Sequence, residues 1–380
     1  MRARPHVLVA GALLACGVLA LVQLAPPAAR LAALLGPTAT APRNHARPAP
    51  SAPAPLARAR TPSQPAPPSL QEHLAGLATR FKEPVGIAVS EVGKDWVAAV
   101  NGEDLFPQQS VSKTWVALTL MDQVDHGRIR LTDPVLMRPE DRSVFYEPIV
   151  GRIGRHGYQT TVGDLLRRAI IDSDNAANDR LLALVGGVPA VKTMLLAKGL
   201  GGIRIGAPEH VLQCWIAGLN WSPQISGWKF KEARAQLPDS VRDAAQARYL
   251  ADPPDGAAPT AVAQGLAALG AGKLLSPTST QTLLDVLSEV RTGRSRLRAA
   301  LPPHWLIAHK TGTGPDWRGA SVGINDVALL TAPDGRTYSV AVMIRQTSKS
   351  NSVRHAFMHQ VVQAVVEQWD AETGRRRGQA

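Results

Sequence analysis

Residues 110–113 read Ser-Val-Ser-Lys and run directly into Thr114-Trp115-Val116-Ala117-Leu118-Thr119-Leu120-Met121. The apolar recurrence from Val116 to Val124 predicts a helix, so Ser110 and Lys113 stand about one turn apart on one face. The lysine amine can then reach the serine hydroxyl, which is weakly nucleophilic at neutral pH and needs such a base. An S-x-x-K string alone is weak, since at average composition it arises by chance roughly once or twice in a chain this long. Ser226 and Lys229 indeed form a second copy, but among Pro223, Gly227 and Trp228, with no periodic apolar helix starting there. Ser110 is therefore the candidate nucleophile.

Two further strings lie downstream. Ser173-Asp174-Asn175 separates helical patterns at Val162–Ile171 and Ala177–Val185, where a turn can point serine and asparagine into a cleft; ordinary polar turns have the same composition. Lys310-Thr311-Gly312-Thr313-Gly314 closes a strand-like run that begins at Trp305. Gly312 would let a substrate backbone approach an edge strand, and Lys310 with Thr313 could bind an anionic carboxylate. Each string has a bland explanation. All three in this order are far less probable by chance than any one of them.

In that order the chain resembles the class A β-lactamases, within the serine β-lactamase and penicillin-binding protein-like superfamily. The resemblance extends from Ser110 nearly to the C-terminus: Asn175-Ala176-Ala177-Asn178, Pro259-Thr260-Ala261-Val262, the Gly272–Ser276 turn, Thr292–Trp305 and Asn325-Asp326 all have counterparts. It implies that Ser110 is acylated, that Lys113 is its hydrogen-bonded partner, and that the N–H groups of Ser110 and Thr313 form an oxyanion hole. Ser173 and Lys310 would pass a proton to the leaving nitrogen, Asn175 would hold the substrate's amide side chain, and Thr311, Gly312 and Thr313 would line the bound substrate. Arg296 matches a position where some members bind the substrate carboxylate, with Arg318 a lesser candidate.

Deacylation separates a β-lactamase from a penicillin-binding protein, and in the family it depends on the pattern R-L-x-x-x-E-x-x-x-N. Here Arg204, Ile205, Glu209 and Gln213 keep the spacing, with isoleucine for leucine and glutamine for asparagine. The implied roles are Glu209 as base and Gln213 as the amide beside the water. Gly206, Ala207 and Pro208 lack the charged side chains that usually brace this loop. Between Gln213 and Asp252 lie about forty residues where the family has a shorter passage, more than a structureless loop in a compact domain should hold, so this insertion is expected to fold locally. Trp215, Trp221 and Trp228 are expected to pack it onto the body. The alternatives to a β-lactamase are a D,D-peptidase or transpeptidase acting on peptidoglycan stem peptides, and a sensor module that is acylated without turnover.

The remaining features set the organisation. A chain of 380 residues with 45% apolar and 19% charged residues can bury a large core. The net charge of +12 is spread along the chain and ends in a short run at Arg375–Arg377, with no zinc-finger, RRM or helix-turn-helix pattern, so no nucleic-acid partner is expected. Residues 1–25 read as an export signal or membrane anchor with a possible lipoprotein box at Cys16. Residues 26–68, rich in Pro and Ala, read as a disordered tether. Only Cys16 and Cys214 exist, and a disulfide between leader and body is not expected. The catalytic domain is placed at 69–371, with a helical part at about 110–300 and the insertion at about 214–252, followed by a basic tail at 372–380. Ser69 and Glu72 suggest a capping box for the first helix. Strand patterns at Val85–Glu91, Trp96–Val100, Trp305–His309, Ala320–Leu330 and Tyr338–Ile344, with helices between and a last helix from Val353 to Trp369, predict an α+β fold. Its antiparallel sheet is built from N- and C-terminal strands flanked by terminal helices, with a mostly helical subdomain inserted between them. A monomer in the bacterial periplasm, soluble or tethered by its N-terminal segment, with no cofactor and no metal, completes the expectation.

Overall fold

Helix α1 (Pro68–Phe81) follows β-type dihedrals at Pro67 and buries Leu70, Leu74, Leu77 and Phe81 at helical spacing. Each of these side chains contributes roughly 1.5–3 kcal/mol relative to exposure. The computed structural model describes residues 59–374, and everything below concerns those residues. The expected capping box is not formed. Pro67 occupies the N-cap, Pro68 opens the helix without an N–H to satisfy, and the Ser69 hydroxyl turns instead to Gln368 of the last helix.

Strands β1 (Val85–Glu91) and β2 (Ala98–Val100) pair antiparallel across the turn at Gly93. Two short ribbons, β3 (Phe106–Pro107) with β6 (Gly256–Ala257) and β4 (Pro134–Met137) with β5 (Tyr158–Thr161), lie in and around the helical part. The late strands are β7 (Leu306–Gly312), β8 (Asp316–Trp317), β9 (Ala320–Thr331) and β10 (Thr337–Thr347). The main sheet runs β2-β1-β10-β9-β7, with β8 paired to β9, and every pairing in it is antiparallel. Val85 of β1 faces Ile344 of β10, so the two ends of the chain close the sheet as expected.

Side-chain size sorts the two faces of this sheet. Val85, Ile87 and Val89 of β1 and Tyr338, Val340, Val342 and Ile344 of β10 pack with α1 and with the last helix, α11 (Asn351–Thr373). Gly86, Ala88 and Ser90 alternate with them, and a methyl group on Gly86 would meet Pro259 Cγ at 2.5 Å. That proline opens α9 (Pro259–Gly270), which lies on this second face. Both faces are thus covered, and β1 is buried along its whole length.

Helices α2 (Lys113–Asp125), α3 (Val162–Arg167), α4 (Asn175–Leu184), α5 (Gly187–Ala197) and α10 (Pro277–Ser288) surround a second core. Residues Lys113–Met121 of α2 are buried all round, which makes α2 its central rod. The insertion folds as expected: α6 (Glu209–Ala217) leads into α7 (Trp228–Ala235) and α8 (Asp239–Ala251). Trp221 packs as expected, against His210 and the cluster of Val144, Cys214 and Phe230, but Trp215 and Trp228 are not anchors. Trp228 is 66% exposed and Trp215 37%, whereas Phe230, Ala245 and Tyr249 are buried, because those three face inward on their helices.

The insertion also joins two separate loops. The Gly227 N–H donates to Ser143 O and Phe230 packs on Phe145, while Arg234 donates to Asp316 O and Asp243 accepts from both Trp317 and Arg318. At the domain edges the boundaries shift. Arg60 and Ser63, expected within the tether, are bound by Asp95, and α11 continues to Thr373, into the expected basic tail. Among the described residues no single helix is long and apolar enough to cross a membrane. The expected leader with Cys16, and most of the tether and tail, lie outside the described residues.

Candidate active site

Ser110 sits in a short 3-10 turn (Gln109–Ser112) that feeds α2, so the serine and Lys113 fall on consecutive turns of one continuous spiral. Gln109, just ahead of the serine, has φ 52, a left-handed conformation that only its surroundings sustain. Across the cleft, α3 widens into a π turn (Arg168–Asp172) and ends with Ser173 at φ 61. Asp174 then caps α4 by accepting from Ala177 N, and it also accepts from Ile149 N. That clamp fixes Ser173 and Asn175 on either side of a buried carboxylate, whose pKa burial pushes up.

Lys113 is fully buried. Its Nζ lies 3.0 Å from Ser110 Oγ and 3.0 Å from Ser173 O, contacts Asn175 Oδ1, and is 3.4 Å from Glu209 Oε1. Ser173 O and Asn175 Oδ1 thus hold the amine against the Ser110 hydroxyl. Lys310, on β7, is also fully buried and donates to Ser173 Oγ at 2.9 Å. Burial first, and the neighbouring Lys113 charge second, hold its pKa well below the usual lysine range. The two lysines thus approach Ser173 at different atoms, Lys113 at its main-chain oxygen and Lys310 at its hydroxyl.

Glu209 is the first residue of α6, 4% exposed, and its N–H donates to Asp179 Oδ1 at 2.6 Å. Asp179 also accepts from His210 N and so replaces the charged brace absent at 206–208. Gln213, one turn on, donates to Glu209 Oε2 at 3.1 Å. The cleft itself measures about 400 Å³ and brings together Ser110, Ser173, Asn175, Glu209, Gln213 and Arg296 with Thr311 and Thr313. A larger groove of about 770 Å³ between α10 and β7 contains none of these residues.

Several placements differ from the sequence expectation. Arg296 lines the cleft, but its guanidinium donates to Gly312 O, Asn325 O and Thr313 Oγ1, so it is tied to β7 and β9 as well as facing the cleft. Arg318 is on the far side of the β8 turn, paired with Asp239 and Asp243, and does not line the cleft. Gly312 is required by the protein itself: a methyl group there would lie 2.3 Å from Gln108 O. Ser226 sits in the turn before α7, outside the cleft. The sequence reading missed Phe145 and Tyr146 at the rim, Thr292 bonded to Thr311, and the buried trio Gln109, Tyr249 and Asp255. Only Gln109, adjacent to the serine, carried a positional signal.

Asp255 is fully buried; its Oδ2 accepts from Gln109 N at 2.8 Å and from the Tyr249 hydroxyl at 3.1 Å, while Oδ1 has no partner. Burial raises its pKa to about 6 from an ordinary 3.8. The folded state therefore holds the proton more tightly than the unfolded chain, and the stability this confers is present below the unfolded value and lost as pH rises through about 6. Relative to Asp255→Asn, the parent is expected to lose roughly 3 kcal/mol between acidic and neutral pH, the equivalent of a two-unit shift. Urea unfolding of both proteins across that range measures it; parallel profiles would show that Asp255 titrates normally.

A serine, two buried lysines in contact through a second serine, and an acid–amide pair over the same cleft define a serine hydrolase. The model of the β-lactamase enzyme family matches residues 69–369, and the chain belongs to that family, among the class A serine β-lactamases. It is 26% identical to the extended-spectrum β-lactamase PER-1 of Pseudomonas aeruginosa, over 79% of this chain and 87% of that one. An ancestral class A β-lactamase structure superposes with TM-score 0.62 at 30% identity, over 79% of this chain and 99% of that one. A β-lactamase from Chitinophaga pinensis gives TM-score 0.64 at 26% identity, over 80% and 99%.

Proposed function

We propose that the protein hydrolyses β-lactams in two steps, with an acyl ester on Ser110 between them. Lys113 takes the Ser110 proton as the hydroxyl attacks the lactam carbonyl, and the N–H groups of Ser110 and Thr313 receive the oxyanion. Lys310 and Ser173 carry a proton to the departing ring nitrogen. Asn175 binds the amide side chain, and Arg296 with Thr313 binds the substrate carboxylate. Glu209, with Gln213, then holds a water, accepts its proton and directs it at the ester. The observation that carries this reading is the placement of Glu209 and Gln213 over the same cleft as Ser110, despite the altered loop around them.

The test is intact-protein mass spectrometry after mixing with benzylpenicillin, followed over time. A transient adduct that decays as product appears is the expected result; a persistent adduct would mark a penicillin-binding protein or sensor, and no adduct would end the reading. We also propose that the domain works outside the cytoplasm, in the periplasm, on the strength of the apolar leader and the Pro-rich passage after it. Cell fractionation that recovers the chain mainly from the cytosol would contradict this.

A further inference from the structure

A carboxylate can only accept hydrogen bonds, an amide has one accepting and one donating end, and a hydroxyl can do either. These rules give direction to a chain of contacts that runs from the insertion to the catalytic carboxylate. The Tyr249 hydroxyl donates to Asp255 Oδ2 at 3.1 Å, so its oxygen is left to accept from Gln109 Nε2. Gln109 therefore turns Oε1 toward Gln213, whose Nε2 donates to it at 2.9 Å and to Glu209 Oε2 at 3.1 Å. Both hydrogens of the Gln213 amide are then committed, and its Oε1 is the end left to accept.

We propose that Tyr249, supplied by the inserted helix α8, is a positioning residue for deacylation: through Gln109 it fixes which way the Gln213 amide faces and so holds Glu209 and its water in register. Three further observations support it. Tyr249 is fully buried although the insertion that carries it is largely at the surface. The Asp255 carboxylate that orients Tyr249 also accepts from Gln109 N, so one group holds the backbone at φ 52 and the direction of the side-chain chain together. The insertion enters directly from the end of α6, which begins with Glu209, so the segment that carries the base also carries its support. Without the hydroxyl, Gln109 Nε2 has no acceptor there, so the contact that fixes the facing of this amide is gone and it is free to turn over. Gln213 must then turn with it and withdraw its N–H from Glu209.

This inference rests on the proposed deacylation role of Glu209, and the experiment separates the two. Tyr249→Phe keeps the ring, which meets Trp215 edge-on, and removes only the hydroxyl. Acylation by benzylpenicillin is measured by stopped flow, and loss of the adduct by mass spectrometry, with Glu209→Gln in parallel. Expected for Tyr249→Phe are an unchanged acylation rate and a deacylation rate lower by about tenfold, the rate equivalent of one hydrogen bond. At steady state kcat and KM should fall together and leave kcat/KM unaltered. Unchanged deacylation would overturn the inference, and so would an equal fall in acylation, which marks a general structural role. Should Tyr249→Phe fail to fold, Gln109→Met breaks the same chain at its middle and is judged by the same two rates. Deacylation at the parental rate in Glu209→Gln would refute the reading of the site itself; accumulation there with none in Tyr249→Phe would refute only the role of Tyr249.

Discussion

Ser110→Ala is expected to lose both turnover and covalent labelling, with kcat down by on the order of 10⁴ to 10⁶, the range seen when the nucleophile or its partner is removed from serine hydrolases. The size follows from the lack of a substitute. Ser112 is buried and its hydroxyl donates to Gln109 O, while Ser226 lies outside the cleft. Ser173 faces Lys310, and its main-chain oxygen is already bound to Lys113. Deleting the Ser110 hydroxyl leaves Lys113 with no nucleophile to activate. Peptide mapping of the penicillin adduct in the parent gives the complementary result: label on Ser110 is expected, and label on Ser226, or full activity in the alanine variant, would refute the assignment.

Glu209→Gln should separate the two chemical steps. The amide keeps the shape and the contact with Gln213 but cannot accept a proton from water, so the ester on Ser110 should accumulate while acylation continues through Lys113. Deacylation is expected to slow by roughly a hundredfold to ten-thousandfold, the contribution of a positioned general base. Lys113 Nζ lies within hydrogen-bond distance of Ser110 Oγ, at 3.0 Å, and Glu209 Oε1 reaches that same amine at 3.4 Å, so acylation keeps a base when the carboxylate is replaced. A burst of product followed by a stalled adduct is the kinetic signature. Parental hydrolysis by the variant would make Glu209 a bystander.

The motifs that decide the fold were local enough to read directly. Ser110 and Lys113 needed only a helix behind them, and Ser173 and Asn175 only a turn, so short-range chemistry located them. The sheet was legible because apolar runs at both ends of the chain have strand length and composition, and antiparallel closure by the termini follows. What escaped depends on contacts distant in sequence. Tyr249 and Asp255 each reach Gln109 across more than a hundred residues of chain, and nothing local distinguishes a buried tyrosine from the others. Gly312 was assigned to substrate access because only the fold reveals that Gln108 O occupies the space beside it. Of the three tryptophans given the packing role, Trp221 fills it, whereas Trp215 and Trp228 yield to Phe230 and Tyr249, which the helical phase turns inward. The capping box failed because Pro67 and Pro68, immediately upstream of Ser69, begin the helix without it.

The pairing of β1 with β10 has a consequence for the timing of folding. Val85 must wait for Ile344, so the central strands of the sheet meet only after almost the whole chain has been synthesised. Until then β1 has only the three-residue β2 as a strand partner, and its Val85, Ile87 and Val89 have α1 but not α11 to cover them. Contacts so remote in sequence are slow to form, so the sheet is the last part to close. A protein built this way can complete its sheet only once its last strand and helix have arrived.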